Sequence, residues 1–135
     1  MEYAPRPTYE NELRLLRDTE DIKVLVGVRR CGKSTLLRWL QGDLLDSGVG
    51  AGNVFYRRMD LFGMPTNPNA EWLVGEISAA IEKSDPEKPF YVLLDEIQDV
   101  DGWERVVRQL HTRPNTDVYI TGSNAYVLSS DLATL

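Results

Sequence analysis

Residues 22–37 read Ile22-Lys23-Val24-Leu25-Val26-Gly27-Val28-Arg29-Arg30-Cys31-Gly32-Lys33-Ser34-Thr35-Leu36-Leu37. The first five are β-branched and apolar around one lysine, which predicts a buried strand. Gly27 to Gly32 predicts a loop. Lys33 to about Asp46 predicts a helix, because Leu36, Leu37, Leu40 and Leu44 fall on one face and Ser47-Gly48 supplies a stop. Gly27 to Ser34 is a full match to the pattern G-x-x-x-x-G-K-[ST]. Its glycines let backbone N–H groups curl around phosphate oxygens, and the following helix adds positive potential at its N-terminus. Lys33 would reach the β- and γ-phosphates, Ser34 would bind Mg²⁺ through its hydroxyl, and Thr35 would meet the α-phosphate. The plain alternative is a glycine-rich turn with an incidental lysine. The strand before the motif and the helix after it favour the phosphate loop.

The candidate nucleotide contacts are therefore Gly27, Arg30, Cys31, Gly32, Lys33, Ser34 and Thr35. The Arg29 and Arg30 side chains either touch phosphate or project outward toward acids of a partner, and the outward reading is preferred. Cys31 lies near a helix N-terminus, where thiol pKa values fall. It reads as a tolerated small residue rather than a redox switch.

Working outward, the remaining chain alternates strands and helices. Asn53 to Arg58 predicts a second strand. Asn69 can cap a helix bearing Trp72, Leu73, Ile77 and Ile81, which stops before Pro86. Phe90 to Leu94 predicts a third, fully buried strand. Asp101 with Glu104 resembles a capping box, and the helix behind it places Trp103, Val106, Val107 and Leu110 on one apolar face. Asp117 to Thr121 predicts a fourth strand. The alternation implies a parallel sheet covered on both faces by helices. Trp39, Trp72 and Trp103 fall on helices and read as packing residues. Residues 1–20 predict a polar arm and a short helix ahead of a core at 21–135.

A second motif, Leu93-Leu94-Asp95-Glu96, closes the third strand at the end where open α/β sheets bind ligands. Asp95 would hold Mg²⁺, and Glu96 would be the general base for an attacking water. A third, Thr121-Gly122-Ser123-Asn124, follows the fourth strand. Asn124 is the first choice there for a contact to the γ-phosphate or the water, and Ser123 the second. A plain turn is the alternative, since Gly-Ser-Asn is ordinary turn chemistry. A guanine-nucleotide reading was weighed on Asp60-Leu61-Phe62-Gly63, Asp99-Val100-Asp101-Gly102 and Glu82-Lys83-Ser84-Asp85. It leaves too little chain for a strand and crossover before residue 82, and Asp95-Glu96 unexplained.

Composition bounds the rest. The chain has 135 residues, enough for one real core. One Cys and one His exclude an intrachain disulfide and a Cys/His metal cluster. No apolar run is long enough for a membrane helix, and the expected location is cytoplasmic. The net charge of −6 sits in the second half. Residues 1–58 carry 10 bases and 8 acids, and the rest 5 bases and 13 acids. That balance argues against direct nucleic-acid binding.

Three blocks together, Ile22 to Leu37, Tyr91 to Arg105 and Tyr119 to Ser130, resemble a known family, as does Arg6-Pro7-Thr8-Tyr9. The chain resembles the N-terminal ATPase domain of a prokaryotic family of AAA-type P-loop ATPases, whose members usually carry a C-terminal nuclease-like domain of unknown function. The resemblance implies a three-layer α/β/α P-loop NTPase of the additional-strand class, with the fourth strand between the first and third. It implies ATP as ligand, ADP as product and Mg²⁺ as the metal. It makes Asp95 and Glu96 the metal and catalytic acids, and Asn124 or Ser123 the sensor. The family continues with a further strand and an arginine-bearing segment, whereas residues 125–135 contain no base. The expectation is nucleotide binding with slow hydrolysis by this stretch alone. Self-association through an exposed sheet edge or an ATPase interface is expected as well.

Overall fold

A computed structural model describes residues 22–25 and 30–122, with side chains at 22–23 and 36–122. The expected arm at 1–20 lies outside the described residues. Four strands form one parallel sheet: β1 (Lys23–Leu25), β2 (Val54–Arg58), β3 (Phe90–Asp95) and β4 (Thr116–Thr121). Their order across the sheet is β1-β4-β3-β2, so the fourth strand lies between the first and the third as the resemblance implied. Among the described residues three α-helices cover the sheet: α1 (Arg30–Asp46), α2 (Ala70–Glu82) and α3 (Trp103–Thr112).

Strand periodicity sorts the core into two layers. Successive side chains of a strand point to opposite faces. Tyr91, Leu93 and Tyr119 thus meet Leu36, Leu37, Leu40 and Leu44 of α1 on one face. Phe90, Val92, Leu94, Val118 and Ile120 meet Leu73 and Ile77 of α2 and Trp103, Val106, Val107 and Leu110 of α3 on the other. Every leucine expected on the inner face of α1 is buried. Trp103 is core, and Trp39 and Trp72 pack partly buried against the two layers. All three tryptophans are packing residues. Burial of this kind is the main stabilising term, at about 25 cal/mol per Å² of apolar surface removed from water.

Two helix starts differ from the sequence expectation. Helix α1 begins at Arg30 rather than Lys33, so three positions read as loop already form its first turn. The N–H groups of such a turn have no acceptor within the helix. Asp101 does not cap α3. The N-cap is Gly102, in left-handed backbone at φ 78°, and no side chain bonds to the turn. A glycine supplies that conformation without Cβ strain, which explains why the chain needs no capping box there. Asn69 does cap α2 as expected, its side-chain oxygen accepting from the Trp72 N–H at 2.9 Å.

One buried polar residue sets the connection between α2 and β3. Asn53 donates to the carbonyls of Asp85 at 3.1 Å and Pro89 at 3.0 Å, and accepts from the Asp85 N–H at 2.9 Å. The residues weighed as a guanine reader serve the end of α2 and the turn behind it. Lys83 is the C-cap, Ser84 donates to the Ile81 carbonyl at 2.6 Å, and Asp85 accepts from the Glu87 N–H at 3.0 Å.

Candidate functional site

Parallel pairing fixes which residues share the ligand-binding edge. Leu25 pairs with Thr121, Ile120 with Leu94, and Asp95 with Arg58. The last residues of β1, β4, β3 and β2 therefore lie in one row. Strand β1 ends in that row at Leu25, and α1 begins five residues on at Arg30. The backbone at Arg30, Cys31, Gly32, Lys33, Ser34 and Thr35 forms the first turns of that helix, which has no acid in its first turn. An acid-free helix start keeps the positive end of the dipole available to an anion. Gly27, Ser123 and Asn124, together with Arg29, lie outside the described residues.

Asp95 is buried at the end of β3 on the face shared with α1. Its Oδ1 accepts from the Thr121 hydroxyl at 2.5 Å, and its Oδ2 lies 3.4 Å from the Tyr56 hydroxyl. The first is a short hydrogen bond, and the second is a long one. Burial chiefly, and then the Asp95 charge, push the Tyr56 phenol up to about 12. Tyr56 thus stays protonated and available as a donor.

At Glu96 the chain leaves the extended conformation. Its backbone is left-handed, φ 57° and ψ 50°, and leads into a short 3₁₀ turn at Ile97–Asp99. Its N–H donates to the Thr121 hydroxyl at 3.0 Å, and its carboxylate accepts from the Gln98 amide at 3.1 Å. Left-handed backbone outside glycine stores strain and clusters at functional sites. Asp99 is pushed up in pKa, first by desolvation and then by the neighbouring charges of Glu96 and Asp60. Asp60 itself is held by Arg58 at 2.7 Å, a local contact just past the end of β2.

The donor set suits a hard cation. Magnesium takes one or two carboxylates plus phosphate oxygens rather than a dedicated protein cage. One buried carboxylate beside a helix start bearing Ser34 fits that habit. Among the described residues no cluster of three or more ligating side chains occurs, as such a site would not require.

A family model described as an AAA domain, AAA_14, matches residues 19–135. The chain belongs to this AAA family. The family is one of nucleotide-binding P-loop ATPases, in agreement with the motifs and the strand order. A relative from Haemophilus influenzae, an uncharacterized protein, is 39% identical over 130 residues, covering 96% of this chain. The AAA chain spans 32% of that relative's length. Among solved structures, Cdc6p from Pyrobaculum aerophilum superposes with a TM-score of 0.62 at 18% identity, over 98% of this chain and 44% of that one. At that identity the likeness speaks for the AAA fold alone. Among the described residues no helix is long and apolar enough to cross a membrane.

Thr121, Tyr56 and Gln98 reach the two acids although the motif reading gave none of them a role. Thr121 stood inside a quoted block, and its position opposite Asp95 follows only from the strand order. Tyr56 carried no local signal, because nothing in Val54–Arg58 tells which strand it pairs with.

Proposed function

We propose that this AAA domain binds ATP with Mg²⁺ and hydrolyses its γ-phosphate, coupling turnover to conformational change. The observation that carries the reading is the shared row, which brings the Asp95-Glu96 pair to the sheet edge from which α1 starts. Lys33 and the N–H groups from Gly27 to Thr35 bind and orient the β- and γ-phosphates. Ser34 and Asp95 are the residues that would hold the metal, which neutralises phosphate charge when bound. Glu96 accepts a proton from the attacking water and aligns it with the γ-phosphorus. Asn124, or Ser123, contacts the γ-phosphate from the end of β4. In a cell the product ADP leaves the same site. A cytoplasmic location and the absence of a direct nucleic-acid role belong to the same proposal. So does self-association, through the outer edge of β1 or an ATPase interface.

Titration with a fluorescent ATP analogue and Mg²⁺ tests the site. Saturable binding is expected in the wild type, competed better by ADP than by GTP and lost in Lys33→Ala. A folded wild type that binds nothing would sink the reading. A second reading, binding without useful turnover, draws support from the Glu96 carboxylate, which is engaged by Gln98 of its own loop. Glu96→Gln separates the two. It preserves binding and abolishes turnover if Glu96 is the base, and leaves the rate unchanged if the chain only binds.

A further inference from the structure

We propose that Thr121 is a positioning residue that locks both acids of the site to the end of β4; this rests on the ATPase reading above. It is fully buried on β4, the strand between β3 and β1, and its single hydroxyl makes two bonds of opposite sense. The Glu96 N–H can only donate, so the Thr121 oxygen accepts there. The hydroxyl proton is then committed to Asp95. One side chain thus fixes the rotamer of the metal-binding carboxylate and the left-handed backbone of the general base.

Thr121 immediately precedes Gly122-Ser123-Asn124, the stretch proposed to meet the γ-phosphate. Loss of the hydroxyl would leave buried Asp95 with the long Tyr56 contact and would remove the Thr121 acceptor from the Glu96 N–H. Valine has nearly the shape of threonine without the hydroxyl, and serine keeps the hydroxyl without the methyl. The pair separates hydrogen bonding from packing.

Amide hydrogen exchange in nucleotide-free protein reads the lock directly. In Thr121→Val, exchange at Glu96 is expected to speed up by about tenfold or more, the usual worth of one hydrogen bond in a charged setting, with Val92 and Val118 unchanged. Thr121→Ser is expected to keep wild-type protection. With ATP, Thr121→Val is expected to retain analogue binding in the absence of metal. Its Mg²⁺ requirement rises and single-turnover cleavage falls by about tenfold or more, while Thr121→Ser recovers both. Wild-type exchange at Glu96, or wild-type Mg²⁺ dependence and cleavage, in folded Thr121→Val would overturn the proposal. A purely structural role predicts a lower melting temperature with unchanged cleavage per folded molecule, and that result also overturns it. If the wild type itself binds no Mg²⁺-nucleotide, the ATPase reading fails, and the positioning role falls with it.

Discussion

Tyr56 shows how one residue ties the site to a pH response. Its phenol lies well above the ordinary value of 10.0, at about 12, because it is partly desolvated and faces Asp95. The folded state therefore holds this proton more tightly than the unfolded chain does. That contribution is complete below pH 10.0 and is lost as the pH rises toward 12. Urea denaturation of wild type and Tyr56→Phe should show the wild type losing stability faster across that interval. Parallel curves would mean that burial and Asp95 do not act on the phenol as described. Below the interval the substitution removes only a long contact, so a loss under about 1 kcal/mol is expected.

At the scale of elements, Gly102 and Asn53 set the limits of what local sequence announces. A Cβ on Gly102 would meet the Ala70 Cβ at 3.2 Å in backbone with φ +78°. Gly102→Ala should cost about 1–2 kcal/mol, the penalty of left-handed backbone for an L-residue. Asp101→Ala should cost under about 0.5 kcal/mol as a lost cap, since no cap bond exists. Thermal denaturation of the two variants checks which residue starts α3. Asn53→Ala removes four bonds to the α2–β3 connection, the weakest to the Lys88 carbonyl at 3.4 Å, and should cost about 2–3 kcal/mol, read in the same assay. The apolar faces of α1 and α3 were legible because leucine and valine spacing reports burial directly. The phosphate loop and Asp95-Glu96 were legible because their chemistry is local in sequence. Gly102 was not, because Asp101 and Glu104 satisfy a capping pattern whose geometry the chain does not adopt. The Thr121 bridge was not, because Asp95 and Thr121 lie 26 positions apart and meet only through strand order.

The whole molecule is held across the sheet by a buried ion pair. Lys23 of β1 donates to Asp117 of β4, and the Tyr119 hydroxyl donates to the second carboxylate oxygen at 2.9 Å. Lys23 also lies 5.3 Å from the Tyr119 ring centre. Removing one partner of a buried pair is strongly destabilising, so Lys23→Met should cost about 3–5 kcal/mol. Adding Asp117→Asn removes the buried negative charge and keeps an acceptor for Tyr119, and should recover most of that loss. Chemical denaturation of both variants measures the difference, and equal losses would mean that the buried charge is not the cause.

The position of β4 between β1 and β3 also dictates when the protein can come together. Lys23 and Asp117 are 94 residues apart, and every described neighbour of β1 within the sheet belongs to β4. A ribosome needs about 5–20 s to make that interval. Throughout it, the strand that leads into the phosphate loop has been synthesised but has no strand beside it. Helix α1 can form early from its own leucines, and β2 and β3 can pair first, yet the sheet closes only when its central strand arrives late. Long-range closure of this kind slows folding and lengthens the exposure of apolar surface. The two halves of the site, helix start and acid pair, are thus born separately and joined by β4, the last of the four described strands to emerge.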